Sequence, residues 1–183
     1  MKRSMTVFYE VHKNLYVNLT NKCPCSCTFC LRQNRDHMEE SGSLWLEHEP
    51  SLEEALTELE KFDMTMYDEL VFCGFGEPTE AFEVLKGVAS YVKEKFKKPV
   101  RLNTNGLGNL INKRDITPEL EGIVDTVSIS LNTPDAERYC EIVRPKFGIR
   151  SFDEMIGFAA KAVKYVPKVV LSTVDTTITK EEE

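Results

Sequence analysis

The sequence predicts an α/β fold, namely a partial, open TIM-like (β/α) barrel with a mostly parallel sheet. Two observations support this prediction. Short apolar segments alternate regularly with longer amphipathic ones, and helix-capping residues stand between the two kinds. Such alternation with short connections is typical of parallel strands joined by right-handed crossovers. Because only five core strands can be counted, and a closed barrel of this type needs eight, the sheet is expected to stay open.

The predicted strands are short segments rich in β-branched and aromatic residues. Residues 7–19 are expected to form a strand or hairpin, with residues 15–19 as the first core strand. Four more core strands are predicted over residues 69–73, 100–103, 124–131 and 168–174. Residues 179–183, which follow the last strand, begin like a helix.

The predicted helices begin at capping signals. Ser51 and Glu54 form a capping box for the first helix, and Ser151 and Glu154 repeat that pattern for a helix that reaches Val166. Further helices are predicted over residues 79–98 and 117–122, and briefly after residues 133–134. The polar segment over residues 32–49 is interpreted as a loop or frayed helix that covers the end of the first core strand, anchored on the core by Trp45.

Composition and charge narrow the class of protein. The 183 residues, of which 42% are hydrophobic, predict one globular domain over residues 1–183. The formal net charge of −7 argues against extended nucleic-acid binding, because nucleic-acid-binding proteins usually carry a basic face. No apolar run approaches the roughly 20 residues that span a bilayer. The first residues lack the apolar core of a secretion signal, so a cytoplasmic protein with reduced cysteines is expected.

The most informative stretch, residues 23–30, contains four cysteines directly after the first core strand. Cys23, Cys27 and Cys30 have the spacing Cys-x-x-x-Cys-x-x-Cys, which lets a short loop turn three thiolates toward one centre. Iron–sulfur clusters are usually held by four cysteines, so a site one ligand short leaves one iron free for a small molecule. A zinc site is an alternative, although structural zinc sites usually draw their ligands from two separated pairs.

The remaining cysteines are interpreted from their positions. Cys25 lies between two ligand positions, and its side chain is expected to point elsewhere, although a fourth-ligand role stays open. Cys73 at the end of a strand and Cys140 in a helix are expected to be buried hydrophobic residues and not ligands. His37 and His48 are interpreted as solvated loop residues.

Polar and small residues follow each core strand, at the edge where parallel α/β proteins place their chemistry. After the second core strand come residues 73–78, which include Gly74, Gly76, Glu77 and Pro78. Asn103 opens the loop after the third, and Ser130 and Asn132 follow the fourth. A dinucleotide site is an alternative for the two glycines, but the third glycine of that fingerprint is missing, and Glu77 would repel a phosphate and attract an ammonium group.

These motifs resemble those of the radical S-adenosylmethionine enzymes. The cysteine spacing with Phe29 before the last cysteine resembles the cluster motif of that family, and residues 74–78 resemble its Gly-Gly-Glu-Pro motif, which receives the amino group of the cofactor. Asn103 stands where related enzymes carry Asp, while Ser130 and Asn132 fall where those enzymes place Asp and Lys against the ribose and carboxylate. Arg144 is the candidate cation for the carboxylate.

The resemblance implies a [4Fe–4S] cluster held by Cys23, Cys27 and Cys30, and S-adenosyl-L-methionine as the second cofactor. Such a protein cleaves the cofactor reductively to a 5′-deoxyadenosyl radical, which takes a hydrogen atom from a substrate. The substrate could be a peptide, a nucleoside or a small molecule, and the reductant a protein such as flavodoxin or ferredoxin. The alternative is an iron–sulfur electron-transfer or regulatory protein without this chemistry.

Within that family the chain looks most like the small radical proteins associated with TatD-type nucleases, on its size and the loop over residues 44–51. The family core usually has six strands, whereas only five are predicted here. The chain is therefore expected either to be truncated after the fifth strand or to finish differently.

Overall fold

A computed structural model describes residues 3–175 and residue 177. Six strands form one open sheet in the order of the sequence. They are β1 (Phe8–Val11), β2 (Asn14–Val17), β3 (Glu69–Phe72), β4 (Val100–Thr104), β5 (Thr126–Ser130) and β6 (Lys168–Ser172). β1 and β2 pair as an antiparallel hairpin, and every later pair is parallel. The predicted α/β class and the open, mostly parallel sheet are confirmed, with β1 added as an antiparallel edge strand.

The helices cover one face of this sheet. They are α1 (Leu52–Leu59), α2 (Phe82–Tyr91), α3 (Gly108–Asn112), α4 (Ala136–Val143) and α5 (Arg150–Ala162). Short 3₁₀ turns occur at Leu31–Gln33, Met64–Met66, Pro78–Ala81 and Thr117–Leu120, and a π-helical turn, Val92–Phe96, extends α2. No helix in the described part of the chain is long and apolar enough to cross a membrane.

The period-two pattern of the strands separates a packed face from a polar face. In β5, Val127 and Ile129 are fully buried, whereas the side chains of Ser128 and Ser130 are only half-buried. The strand register aligns Asn103 with Ser128, and Ser130 with Ser172, so the polar side chains of neighbouring strands share one face. The side chains of this polar face line a cavity, which is described in the next subsection.

The capping box at Ser51 forms as the sequence predicts. The Ser51 hydroxyl accepts a hydrogen bond from the Glu54 N–H at 3.2 Å, and the Ser51 N–H donates to the Glu54 carboxylate at 2.8 Å. The same prediction for Ser151 is wrong. α5 already begins at Arg150 without a side-chain cap, and Ser151 is fully buried inside its first turn.

Two further helical segments of the structure differ from the sequence prediction. The helix predicted over residues 79–98 consists of a 3₁₀ turn, α2 and the π-helical turn, and it ends at Lys97, whose φ of 56° is left-handed. α3 was not predicted. The helix suggested for residues 179–183 lies outside the described residues.

A smaller apolar cluster lies on the polar side of the sheet. It contains Tyr9, Leu44 and Phe75, with Trp45 packed against it. The rings of Trp45 and Phe75 are 5.3 Å apart in an edge-on arrangement. The segment over residues 32–49 is thus fixed to the core as expected from Trp45.

Candidate cluster and cofactor site

The cysteine loop, residues 23–30, lies across the C-terminal end of α4. The Thr28 N–H donates to the Ile142 carbonyl at 2.8 Å, and the Lys146 N–H donates to the Pro24 carbonyl at 2.8 Å. Between them, the Ser26 N–H donates to the Val143 carbonyl at 3.1 Å. This short backbone pairing gives the loop a defined shape although it contains no regular element of its own.

The thiols of the cysteine loop are close enough to affect one another. Cys23, Cys27 and Cys30 are half-buried free cysteines, whereas Cys25 is only 3% exposed. Proximity to the Cys25 thiol lowers the pKa of Cys23 and of Cys27, because Cys25 can share its single S–H with either thiolate, and the same two neighbours raise the pKa of Cys25 itself. Burial raises the pKa of Cys30. The spacing predicts that the Cys25 side chain points away from Cys23 and Cys27, whereas in the structure its thiol lies close to both.

This donor set fits an iron–sulfur cluster chemically. A thiolate is the form that binds metal, and hydrogen bonding favours that form at Cys23 and Cys27. Cys30 and Phe29 both line a cavity, so the third cysteine borders open space. In the described residues no group of three His, Cys, Asp or Glu side chains is already arranged to hold a single metal ion.

The turn over residues 74–76 needs both of its glycines, because the segment that follows β2 passes very close to it. A Cβ at Gly74 would overlap the side chain of Asn18, and a Cβ at Gly76 would overlap the backbone carbonyls of Thr20 and Lys22. The Glu77 N–H donates to the Lys22 carbonyl at 2.8 Å. The turn is thereby held against the segment that leads into the cysteine loop.

The carboxylate of Glu77 is buried behind this turn. Its Oε1 accepts hydrogen bonds from the hydroxyls of Thr104 at 2.7 Å and Thr79 at 2.8 Å. Its Oε2 accepts from the Asn105 N–H at 2.8 Å. Burial raises the pKa of Glu77, and these hydrogen bonds oppose that effect. Glu77 consequently joins the turn after β3 to the loop after β4.

A cavity of about 470 Å³ lies at the C-terminal ends of the parallel strands. Five of the predicted site residues line it: Phe29, Cys30, Gly74, Asn103 and Ser130. The Oδ1 atom of Asn103 is buried without a hydrogen-bond partner in the described part of the protein, so an acceptor is free at the cavity wall. The structure thus brings the cysteine loop, the glycine turn and the strand ends to one space.

Other predicted residues lie outside the lining of this cavity. Asn132 is buried in a left-handed conformation with φ of 64°, and its Nδ2 donates to the Ser130 carbonyl at 3.4 Å. Pro78 is buried at the start of a 3₁₀ turn. Arg144 is exposed at the end of α4, where its Nε donates to the Glu141 carbonyl at 3.3 Å. Cys73, by contrast, does line the cavity, although the sequence predicts that it is not a ligand.

The loop histidines make local contacts. The His37 ring is 2.7 Å from the Asp36 carboxylate, and the His48 ring is 2.9 Å from the Glu54 carboxylate. Both pairs are about half exposed, as expected for solvated loop residues.

One cavity residue was missed from the sequence. Arg32 lies two positions after the last cysteine, and its guanidinium donates to the carbonyls of Phe75 at 3.2 Å, Cys25 at 3.2 Å and Asn21 at 3.4 Å. The available signal was a cation directly after the cysteine motif in an acidic chain.

Three features occur together in this protein: an open, mostly parallel sheet, a loop with three suitably spaced cysteines and a glycine turn. Together they define an iron–sulfur protein of the radical S-adenosylmethionine class. A family model described as the radical SAM superfamily matches residues 17–183. The chain belongs to this superfamily, whose members use a [4Fe–4S] cluster and S-adenosylmethionine.

Curated relatives agree with this family. The chain is 33% identical over 144 residues to a GTP 3′,8-cyclase of Corynebacterium glutamicum, an alignment that covers 75% of the chain and 35% of that relative. It is 29% identical over 179 residues to GTP 3′,8-cyclase 2 of Mycobacterium tuberculosis, covering 96% of the chain and 46% of that protein. The chain therefore spans less than half the length of these relatives.

Solved structures share the fold. A radical SAM methyltransferase from Sphaerobacter thermophilus superposes with a TM-score of 0.65 at 14% identity, covering 96% of this chain and 52% of that one. The structure of TYW1 with a lysine-pyruvate adduct bound superposes with a TM-score of 0.56 at 16% identity, covering 88% of this chain and 55% of that one. The narrower resemblance to TatD-associated proteins stays a prediction.

Proposed function

We propose that the chain is a radical S-adenosylmethionine enzyme domain whose chemistry takes place in the cavity at the strand ends. The observation that carries this proposal is the convergence of Cys30, Phe29, the turn over residues 74–76 and Asn103 on one space, in a member of this superfamily. When bound, the cluster and cofactor together supply a 5′-deoxyadenosyl radical that abstracts a hydrogen atom from the substrate.

Each residue has a separate task in this proposal. Cys23, Cys27 and Cys30 hold the cluster as thiolates. Backbone oxygens of residues 74–76 accept the ammonium group of the cofactor, a role that suits carbonyls that approach a ligand closely. Glu77 holds that turn in place through its bonds to Thr104 and Asn105.

The strand-end residues are proposed to contact the rest of the cofactor. Asn103 offers a buried amide oxygen with no partner in the described residues, which suits a ribose hydroxyl. Ser130 adds a hydroxyl on the neighbouring strand, and Asn132 and Pro78 shape the loops behind them. Apolar lining residues such as Met38, Leu44 and Val174 keep water from a reactive centre. Contact between Arg144 and the carboxylate remains a prediction.

A partner and a location are part of this proposal. Reductive cleavage of the cofactor requires an electron, so we expect a reductant protein such as ferredoxin or flavodoxin, and we expect a cytoplasmic setting. A small molecule, a peptide or a nucleoside can serve as substrate. We also propose that residues 1–183 form one domain.

The decisive experiment is anaerobic reconstitution of the chain with iron and sulfide, followed by incubation with dithionite and S-adenosylmethionine. Formation of 5′-deoxyadenosine, measured by chromatography, is the expected result. A protein with a fully loaded [4Fe–4S] cluster that forms no 5′-deoxyadenosine would instead favour the electron-transfer alternative.

A further inference from the structure

The guanidinium of Arg32 is fixed by backbone oxygens from three different segments. One oxygen belongs to Asn21 after β2, one to Cys25 in the cysteine loop and one to Phe75 in the glycine turn. An arginine side chain normally loses about 2 kcal/mol of rotamer entropy when it is immobilised on a ligand. Because these three carbonyls already hold Arg32, much of that cost is met before any ligand arrives.

Arg32 also supplies the charge of the cavity. Among the described residues that line the cavity, it is the one side chain that carries a formal charge. A guanidinium has five N–H donors, and the three backbone oxygens use three of them. Nε–H and one N–H of Nη2 have no partner among the described residues and are available to a ligand. Arginine binds carboxylates well through pairs of such donors.

The position of Arg32 beside Phe75 matches the shape of an amino-acid group. The Phe75 carbonyl belongs to the turn that is proposed to accept the ammonium group, and Arg32 donates to that same oxygen. In an α-amino acid the ammonium and the carboxylate are attached to one carbon, so their binding groups in the protein must also be neighbours. Because Arg32 uses the Phe75 oxygen, the ammonium group would be accepted by the adjacent carbonyl of Gly74 or Gly76, one residue away from the oxygen that holds the guanidinium.

We propose that Arg32 binds the α-carboxylate of S-adenosylmethionine and so determines selectivity for the amino-acid end of the cofactor. The inference rests on the proposed function. It gives Arg32 the role of binding the carboxylate, for which the sequence analysis proposed Arg144. Arg144 is exposed, lies at the end of α4 and is not among the residues that line the cavity. Arg32 is in the cavity wall and already oriented.

The test compares two ligands on the anaerobically reconstituted protein. Equilibrium binding of S-adenosylmethionine and of decarboxylated S-adenosylmethionine is measured by calorimetry for the wild type and for Arg32→Ala. Loss of charge-assisted hydrogen bonds is expected to weaken binding of S-adenosylmethionine roughly 10- to 100-fold. The decarboxylated ligand has no carboxylate for Arg32 to bind, so its affinity should fall several-fold less than that of S-adenosylmethionine, and the part that falls reports the lost hydrogen bond to the Phe75 carbonyl.

Controls separate this role from a structural one. Arg35→Ala removes the same charge from an exposed position three residues further along and is expected to bind both ligands as the wild type does. Iron content is measured for every variant. If Arg32→Ala fails to load its cluster, Arg32→Gln is used, since its amide can still donate to backbone oxygens while it carries no charge.

The outcomes are distinct. A selective loss for S-adenosylmethionine in the Arg32 variant supports the assignment. Equal weakening of both ligands, no weakening of either, or a selective loss in Arg144→Ala instead would overturn it. If the wild-type protein carries a full cluster but binds neither ligand, the proposed function is overturned, and the assignment of Arg32 with it. This result can be told from the others because it is seen in the wild type, before any substitution is made.

Discussion

The four cysteines of the loop differ in environment although they lie within eight residues. Cys30 lines the cavity and Cys23 and Cys27 are half-buried, whereas Cys25 is 3% exposed and receives a weak hydrogen bond from the Asn105 side chain at 3.6 Å. We expect Cys25 not to be a ligand, because only Cys23, Cys27 and Cys30 have the spacing of the family motif.

Cys25→Ala is therefore expected to reach the same final iron content as the wild type, although loading is slower because Cys23 and Cys27 lose a hydrogen bond that favours their thiolates. Iron analysis and cluster absorbance after anaerobic reconstitution check this. Alanine at Cys23, Cys27 or Cys30 should abolish the cluster, and Cys73→Ala and Cys140→Ala should leave it intact. A Cys25→Ala protein that cannot assemble a [4Fe–4S] cluster would contradict the three-ligand assignment.

Among the described residues, Glu77 is the acidic or basic residue that is classed as buried. Its side chain is 4% exposed and accepts hydrogen bonds from Thr79, Thr104 and Asn105. These bonds connect the Glu77 carboxylate to the loop after β4, while its own N–H holds the glycine turn against Lys22.

In Glu77→Gln one oxygen acceptor becomes a donor, so at least one of these hydrogen bonds is lost, at about 1–3 kcal/mol of unfolding free energy. Cofactor affinity is expected to fall while the iron content stays that of the wild type. Thermal unfolding, iron analysis and calorimetric binding measure the three effects. Glu47→Gln, at an exposed loop position, is the matched control, and an unchanged binding isotherm for Glu77→Gln would refute the role of the turn.

At the scale of elements, the cysteine loop depends on its backbone pairing with the end of α4. The Ser26 N–H lies in the middle of this pairing and donates to the Val143 carbonyl at 3.1 Å and the Arg144 carbonyl at 3.3 Å. Proline has no N–H and restricts the residue before it, which here is Cys25.

Ser26→Pro is consequently expected to release the loop and to lower iron retention strongly. The free energy of unfolding should fall by about 1–3 kcal/mol. Ser26→Ala keeps the N–H and should behave as the wild type in both respects. Iron content after gel filtration and chemical denaturation are the measurements. Equal iron retention in the two variants would show that this pairing does not hold the loop.

Elements with strong local signals were predictable from the sequence. The parallel strands were found because their apolar residues alternate or run together, as Val127 and Ile129 do in β5. The capping box at Ser51 was found because both of its partners lie within four residues.

Elements that depend on distant contacts were not predictable. α3 contains glycine and two asparagines, which favour helices weakly, and it is supported by the Asn112 side chain, which donates to the Thr79 carbonyl at 3.0 Å. Ser151 has the right neighbours for a cap, but a preceding turn at Gly148, with φ of 71°, lets the helix start earlier. Arg32 was missed for the same reason, since its three acceptors come from three segments.

For the whole molecule, the packed side of the sheet and the functional rim are stabilised differently. The core of β3 to β5 is fully buried and includes Leu70, Phe72, Leu102 and Ile129. The functional rim, meaning the cysteine loop, the glycine turn and the strand-end loops around the cavity, is held by hydrogen bonds between segments, such as those of Arg32 and Ser26. Segments with few buried apolar contacts open at lower free energy than a packed core.

Removal of the cluster should therefore loosen the rim and leave the sheet folded. Because cluster and cofactor bind only the folded loops, each is expected to raise the melting temperature, and a chelator should lower it again. In hydrogen-exchange measurements on the chelated protein, residues 21–33 and 142–148 should exchange faster, while amides of β3, β4 and β5 keep their protection. The control is the reconstituted protein carried through the same anaerobic steps without chelator. Loss of protection throughout β3, β4 and β5 on chelation would mean that the cluster stabilises the entire fold and would contradict the division between core and rim.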